Sequence, residues 1–281
     1  MKSALSFCGA LGLLSLTVTQ AMAAPGYFRE PAIHDNQLVF NAEGDLWSVT
    51  LNDKQKGDYA ATRLTTQLAD ETQPVISPDG KQLAFVANYE GAPEVYIKPI
   101  RGGLAERVTF ENSGMKLHQW TADGKILYST NSRVGPTNSY VLKLLDVKSG
   151  KTITLPLADA VEGVIDDKGE WLYFVRFGLQ LSGDNANYYQ GGAKGRLWRW
   201  KLGSTQEAEL LTAEHEGSIR TPMLNENRLF FISNQDGIDN LWSMTLNGKS
   251  ARKETQYDDW TVRGAAMGNG KAVYQNGADL V

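Results

Sequence analysis

Ser77-Pro78-Asp79-Gly80-Lys81-Gln82-Leu83-Ala84-Phe85 is the stretch from which the fold can be read. Asp-Gly ahead of an apolar run accepts positive φ cheaply and closes a hairpin. Farther on, Glu94-Val95-Tyr96 alternates polar, apolar and aromatic positions, as on a strand with one buried face. A short fourth strand is signalled by Glu106-Arg107-Val108-Thr109, and Pro74 heads the inner strand, where a missing N–H is tolerated.

The unit recurs along the chain. The counterparts of Leu83-Ala84-Phe85 are Leu38-Val39-Phe40, Ile126-Leu127-Tyr128, Leu172-Tyr173-Phe174, Leu229-Phe230-Phe231 and Ala272-Val273-Tyr274, at successive steps of 45, 43, 46, 57 and 43 residues from the first copy. Turn signals precede most copies, as in Ala122-Asp123-Gly124, Asp167-Lys168-Gly169 and Asn269-Gly270; the first and fifth use Asp35-Asn36 and Glu226-Asn227. The third-strand motif returns as Asp45-Leu46-Trp47, Ser139-Tyr140-Val141, Arg196-Leu197-Trp198, Asn240-Leu241-Trp242 and Asp279-Leu280-Val281.

No stretch holds a helical apolar period. The reading is an all-β, six-bladed β-propeller of four-stranded antiparallel blades, in preference to a sandwich, which would not repeat aromatic positions so regularly. The blades fall at about 29–66, 72–110, 117–156, 161–213, 219–256 and 261–281, with the sixth incomplete. Its outer strand is missing at Val281, which reads as a chain cut short; Tyr27-Phe28 is the alternative filler. An unpaired outer strand is an aggregation edge.

The start of the chain reads as a secretory signal. Lys2 precedes an apolar run over residues 4–18 that ends in Ala21-Met22-Ala23, so cleavage is expected after Ala23, leaving a propeller over 24–281 in a periplasmic or secreted setting. Cys8, the one cysteine, leaves with that segment, so no disulfide and no cysteine metal site is expected. The formal net charge of −4 comes without basic clusters and gives no electrostatic case for nucleic acid.

The Ser77-Pro78-Asp79-Gly80-Lys81 repeat resembles blades of TolB-like propellers and tricorn-type proteases. Longer strings are more specific. Phe40-Asn41-Ala42-Glu43-Gly44-Asp45-Leu46-Trp47, Arg176-Phe177-Gly178-Leu179-Gln180-Leu181-Ser182-Gly183-Asp184-Asn185 and Asp259-Trp260-Thr261-Val262-Arg263-Gly264-Ala265 resemble bacterial tricorn protease homologues. The resemblance implies a six-bladed propeller that opens a longer protein. A second, seven-bladed propeller, a PDZ domain and a serine peptidase core follow in that family, and its catalytic serine, histidine and glutamate lie in that core. No catalytic residue carries over to this chain. The implied role is a non-catalytic propeller that filters or guides peptides for an exported serine peptidase. The full-length protein could form a homo-oligomer.

Direct chemistry is sparse. Gly-x-Ser-x-Gly, His-Glu-x-x-His and phosphate-loop motifs are absent. Of the three histidines, His34 and His118 fall on predicted inner strands and read as structural. His215 lies in a loop between Glu214 and Glu216 without further ligands at metal spacing. No cofactor is expected, and a glycosidase- or lactonase-like propeller fares poorly for want of convergent acids.

Two features stand above this background. The loop between the second and third strands of blade four spans 24 steps from Phe174 to Trp198, against 7 from Phe40 to Trp47. It carries Asp184, Asn185, Tyr188, Tyr189, Lys194 and Arg196, residue types suited to contact. An acid also recurs between each outer strand and the next inner strand: Asp70, Glu111, Asp159, Glu214 and Asp258. Together they form an expected acidic collar on the same face as the long loop, meeting peptides that carry basic or amino-terminal ends. The alternative function is a free-standing TolB-like envelope propeller that binds a protein partner.

Overall fold

The computed structural model describes residues 26–52, 59–132, 140–176 and 194–281. Among them every regular element is a β-strand. Blade one is β1 (Arg29–His34), β2 (Gln37–Ala42), β3 (Asp45–Thr50) and β4 (Thr62–Arg63). Blade two is β5 (Glu71–Ile76), β6 (Gln82–Ala87), β7 (Glu94–Pro99) and β8 (Glu106–Arg107). Blade three is β9 (Met115–Trp120), β10 (Lys125–Thr130), β11 (Val141–Asp146) and β12 (Thr152–Thr154). Blade four is β13 (Ala160–Ile165), β14 (Trp171–Arg176), β15 (Arg196–Lys201) and β16 (Glu209–Leu210). Blade five is β17 (Ile219–Asn225), β18 (Arg228–Ser233), β19 (Asn240–Thr245) and β20 (Arg252–Lys253). Blade six has three strands, β21 (Val262–Gly268), β22 (Lys271–Asn276) and β23 (Asp279–Leu280).

Each blade is an antiparallel meander. The first strands pack in order, β1 on β5, then β9, β13, β17 and β21, and β21 returns to β1, so they close a ring of six blades. The hairpin chemistry follows the sequence: Asn269 (φ 48°) and Gly270 (φ 77°) take the two left-handed positions between β21 and β22.

The sequence predicts one buried face for the third strands. In β7, residues 94–98 are all buried, because a middle strand of a blade is pressed on both sides. Leu83, Phe85 and Tyr96 pack on Val39 and Leu46 of blade one, while Ala84, Val86, Val95 and Ile97 pack on Met115, Leu117 and Ile126 of blade three. Burial of each such large apolar side chain contributes about 1.5–3 kcal/mol.

A threonine latch ties the outer edge of four blades. The N–H of Leu46, Val95, Leu197 and Leu241 donates to the hydroxyl of Thr65 (2.8 Å), Thr109 (2.8 Å), Thr212 (3.1 Å) and Thr255 (2.9 Å). Three of these hydroxyls pass their own proton to a side-chain oxygen, on Glu71, Glu94 and Asn240.

Tyr27-Phe28 is not the outer strand of blade six. The Phe28 N–H donates to Ala278 O (2.9 Å), the Tyr27 hydroxyl accepts from Gln275 Nε2 (3.1 Å), and the Phe28 ring meets Phe40 edge-on. The segment crosses the seam between blades six and one at the turn before β23. At the other end of that seam, Asn269 Nδ2 bonds Asp35 Oδ1 and Lys271 Nζ donates to Asn36 Oδ1 (2.6 Å).

Candidate functional site

Antiparallel connectivity divides the loops between two faces. The upper face carries the loops between second and third strands and those leading from one blade to the next. The lower face carries the other turns. The first strands line the channel between them.

Those strands share a bulge. Glu30, Gln73 and Thr221 have φ of 50°, 53° and 53°, and each precedes a proline, Pro31, Pro74 or Pro222. Pairing with the second strand shifts at or close to this point in every blade, in blade three at His118 and in blade four at Val161. A bulge removes an N–H from the ladder, and a buried orphan donor is costly. The blade before supplies the acceptor: Gln73 N–H donates to Glu30 Oε2 (2.7 Å), Leu117 N–H to Gln73 Oε1 (2.7 Å) and Thr221 N–H to Glu162 Oε2 (2.6 Å). Between blades three and four, Gln119 exchanges two bonds with Ile165 (2.7 and 2.9 Å). Burial raises the Glu30 pKa, against the opposing effects of the Gln73 bond and Arg29. Sequence reading missed this ladder, although the recurrent x-Pro dipeptides of the inner strands were its visible signal.

The expected collar is uneven. Asp70, Glu214 and Asp258 are exposed on the upper face, and Asp159 is half-buried there at φ 55°. Glu111 is withdrawn into a cluster: both its oxygens accept from Lys143 Nζ (2.8 Å each), and Tyr128 and Ser132 also donate to it. Burial opposes its ionisation, but these donors outweigh burial and hold its pKa below the usual value.

The blade-four loop divides as well. Asp184, Asn185, Tyr188 and Tyr189 lie outside the described residues. Arg196 Nη1 donates to the carbonyls of Thr212 (3.0 Å) and His215 (2.7 Å), pinning the neighbouring loop, and Lys194 reaches Glu216 O.

The histidines take structural positions. His215 is buried edge-on against Phe231 and Trp242, with Nε2 2.7 Å from Ser233 Oγ. His118 Nε2 lies 2.9 Å from Ser129 Oγ, which donates to Val161 O. Burial pulls both pKa values down to about 4. Ser129 and Ser233 have no solvent exposure, so no substrate reaches either hydroxyl. His34 sits 3.5 Å from Asp35 at a lower-face turn. Among the described residues no group of three potential metal ligands converges. A cavity of about 410 Å³ between blades three and four opens near the lower face, beside Asp123, Leu155, Gly169 and Trp200.

A second feature escaped sequence reading. Tyr27, Leu68, Phe110 and Trp260 stand exposed on upper-face loops. Each falls outside the strand repeat, where periodicity carries no information about burial.

Comparisons with known proteins agree with this architecture. Tricorn protease homolog 1 of Streptomyces coelicolor is 30% identical over 269 residues, covering 94% of this chain and 24% of that protein. The crystal structure of the tricorn protease superposes with a TM-score of 0.76 at 20% identity, covering 92% of this chain and 25% of that one. A putative TolB from Agrobacterium tumefaciens gives a TM-score of 0.67 at 18% identity, over 91% of this chain and 84% of that chain, a likeness of fold. The chain thus spans about a quarter of the length of the curated tricorn relatives it matches. With the tricorn protease N-terminal beta propeller domain model matching residues 25–281, the chain belongs to that family.

Proposed function

We propose that this chain serves as the non-catalytic propeller of an exported tricorn-like serine protease, guiding peptides across its upper face and along its channel. The observation that carries the reading is family membership over residues 25–281 in a chain that spans only a quarter of its relatives. The sealed His–Ser pairs support a role without bond cleavage, since a nucleophile must be reached by its substrate. The Lys2-led apolar segment ending at Ala23 supports export to the periplasm or medium.

The test is incubation of the purified chain with a mixture of labelled peptides. Peptides should be retained on the chain and recovered intact by mass spectrometry. Cleavage by the isolated chain, with a rate that follows its concentration, would overturn the non-catalytic role. Absence of any peptide binding would favour the second reading, a free-standing envelope propeller for a protein partner, which the TolB-like fold supports.

A further inference from the structure

We infer that the upper face is a docking surface for a cationic polypeptide segment studded with apolar side chains. The apolar component carries the inference. Leu68 is fully exposed, Phe110 is 75% exposed, Trp260 62% and Tyr27 47%. They occupy four consecutive seams of the ring. Trp260 stands between blades five and six, its ring beside Gly277. Tyr27 lies between blades six and one, Leu68 between one and two, and Phe110 between two and three. An arc of large apolar side chains on one face, set among polar residues, marks an interaction surface more often than scattered exposure does. The lower-face loops offer only Leu104 of comparable exposure among the described residues.

Charge selects the occupant. Among the described upper-face loops Lys194 is the one lysine or arginine, while Arg29, Arg63, Arg107 and Arg263 stand at the upper strand ends; Asp70, Asp258 and Asp259 are exposed beside the apolar arc, and Glu90 there is paired with Arg107 (2.9 Å). The lower-face loops mix their acids with Lys81, Arg101, Lys148, Lys151, Lys168 and Lys249. The upper-face loops are therefore the more acidic of the two sets, and they are the ones that carry the apolar arc. Such a surface repels nucleic acid and anionic lipid and attracts lysine- or arginine-bearing chains, with apolar contacts holding what the field draws in. Phe110 shows the chemistry internally, with the Arg107 guanidinium 4.6 Å from its ring centre.

The inference rests on the peptide-guiding reading and adds the class of peptide. Its test uses the whole chain and three fluorescein-labelled peptides of equal length, alternating Lys/Leu, Glu/Leu or Lys/Ser, read by anisotropy. The Lys/Leu peptide should bind at least about tenfold more tightly than either control, and the advantage over Glu/Leu should shrink with salt. Replacing the arc in one variant (Leu68→Ser, Phe110→Ser, Trp260→Ser) should weaken Lys/Leu binding by about tenfold or more, with the thermal midpoint held as a check on folding. Asp70→Asn with Asp258→Asn should reduce the preference over Glu/Leu without removing binding. Equal binding of Glu/Leu, equal binding of Lys/Ser, or an unaffected arc variant overturns this inference and leaves peptide guiding intact. Failure of all three peptides to bind overturns both.

Discussion

At the residue scale, much of the structural precision rests on side chains that finish hydrogen bonds the sheets leave open. Thr109 is the clearest instance: its oxygen accepts from the buried Val95 N–H while its proton goes to Glu94 Oε2 (2.6 Å), and Glu94 in turn receives Arg107 (2.9 Å) and the Asn112 N–H (2.8 Å). Thr109→Val keeps the shape and removes both bonds, so it should lower unfolding stability by about 1–3 kcal/mol in urea titrations, whereas Thr109→Ser should recover most of the loss. His215 and His118 act through their charge. Each is held neutral by burial, with a pKa near 4 in the folded chain against the usual 6.5. A depressed folded pKa means that stability is complete above pH 6.5 and is lost as the pH falls toward 4, by up to about 1.4 kcal/mol per pH unit for each histidine. Glu30 and Glu71, whose pKa values burial raises, work in the opposite sense and soften the decline. A series of urea midpoints between pH 7 and pH 4 should show a flatter slope for the His118→Gln, His215→Gln double variant. An unchanged slope would assign the titration to other groups.

At the scale of the element, the strands were legible and their joints were not. Asp-Gly and Asn-Gly turns and the repeated aromatic ends declared the hairpins because turn chemistry and strand periodicity are local. The ladder joining Glu30, Gln73 and Leu117 is set by contacts between residues over forty positions apart, which no local pattern encodes. The same limit explains Glu111. Its spacing matched Asp70 and Asp258, but Lys143 on a distant strand decides that it turns inward. The nearly continuous burial of β7 and β19 was missed because a blade pressed from both sides erases the alternation of a one-faced sheet. The ladder yields a separable prediction: Glu30→Ala orphans the Gln73 N–H and should cost about 1–3 kcal/mol, while Glu30→Gln, which keeps an acceptor, should cost far less. Equal losses in thermal unfolding would show that the carboxylate acts by charge and not as the acceptor.

At the scale of the whole molecule, the blades are unequal. First strands such as β5 alternate buried and half-buried positions, whereas β21 is buried only at Val262, and the side-chain ladder reaches neither seam of blade six among the described residues. Amide exchange should therefore be faster in β21 and β22 than in β5 and β6, as measured by mass spectrometry on peptic fragments. Uniform protection around the ring would contradict this ranking. The contrast in charge between the two sets of loops belongs to this scale too, since no single loop shows it.

The seam between blades six and one is clasped at both ends, by the Phe28–Ala278 bond above and the Asn269–Asp35 and Lys271–Asn36 bonds below, and between the clasps Ile33, Leu38 and Phe40 of blade one pack with Val273, Ala266 and Leu280 of blade six. Two weak clasps on one rigid edge behave as a bivalent contact: while either holds, the other stays at high effective concentration and re-forms at once. The apolar strip between them keeps its register while a clasp is open, so a local opening at either end of the seam does not part the ring.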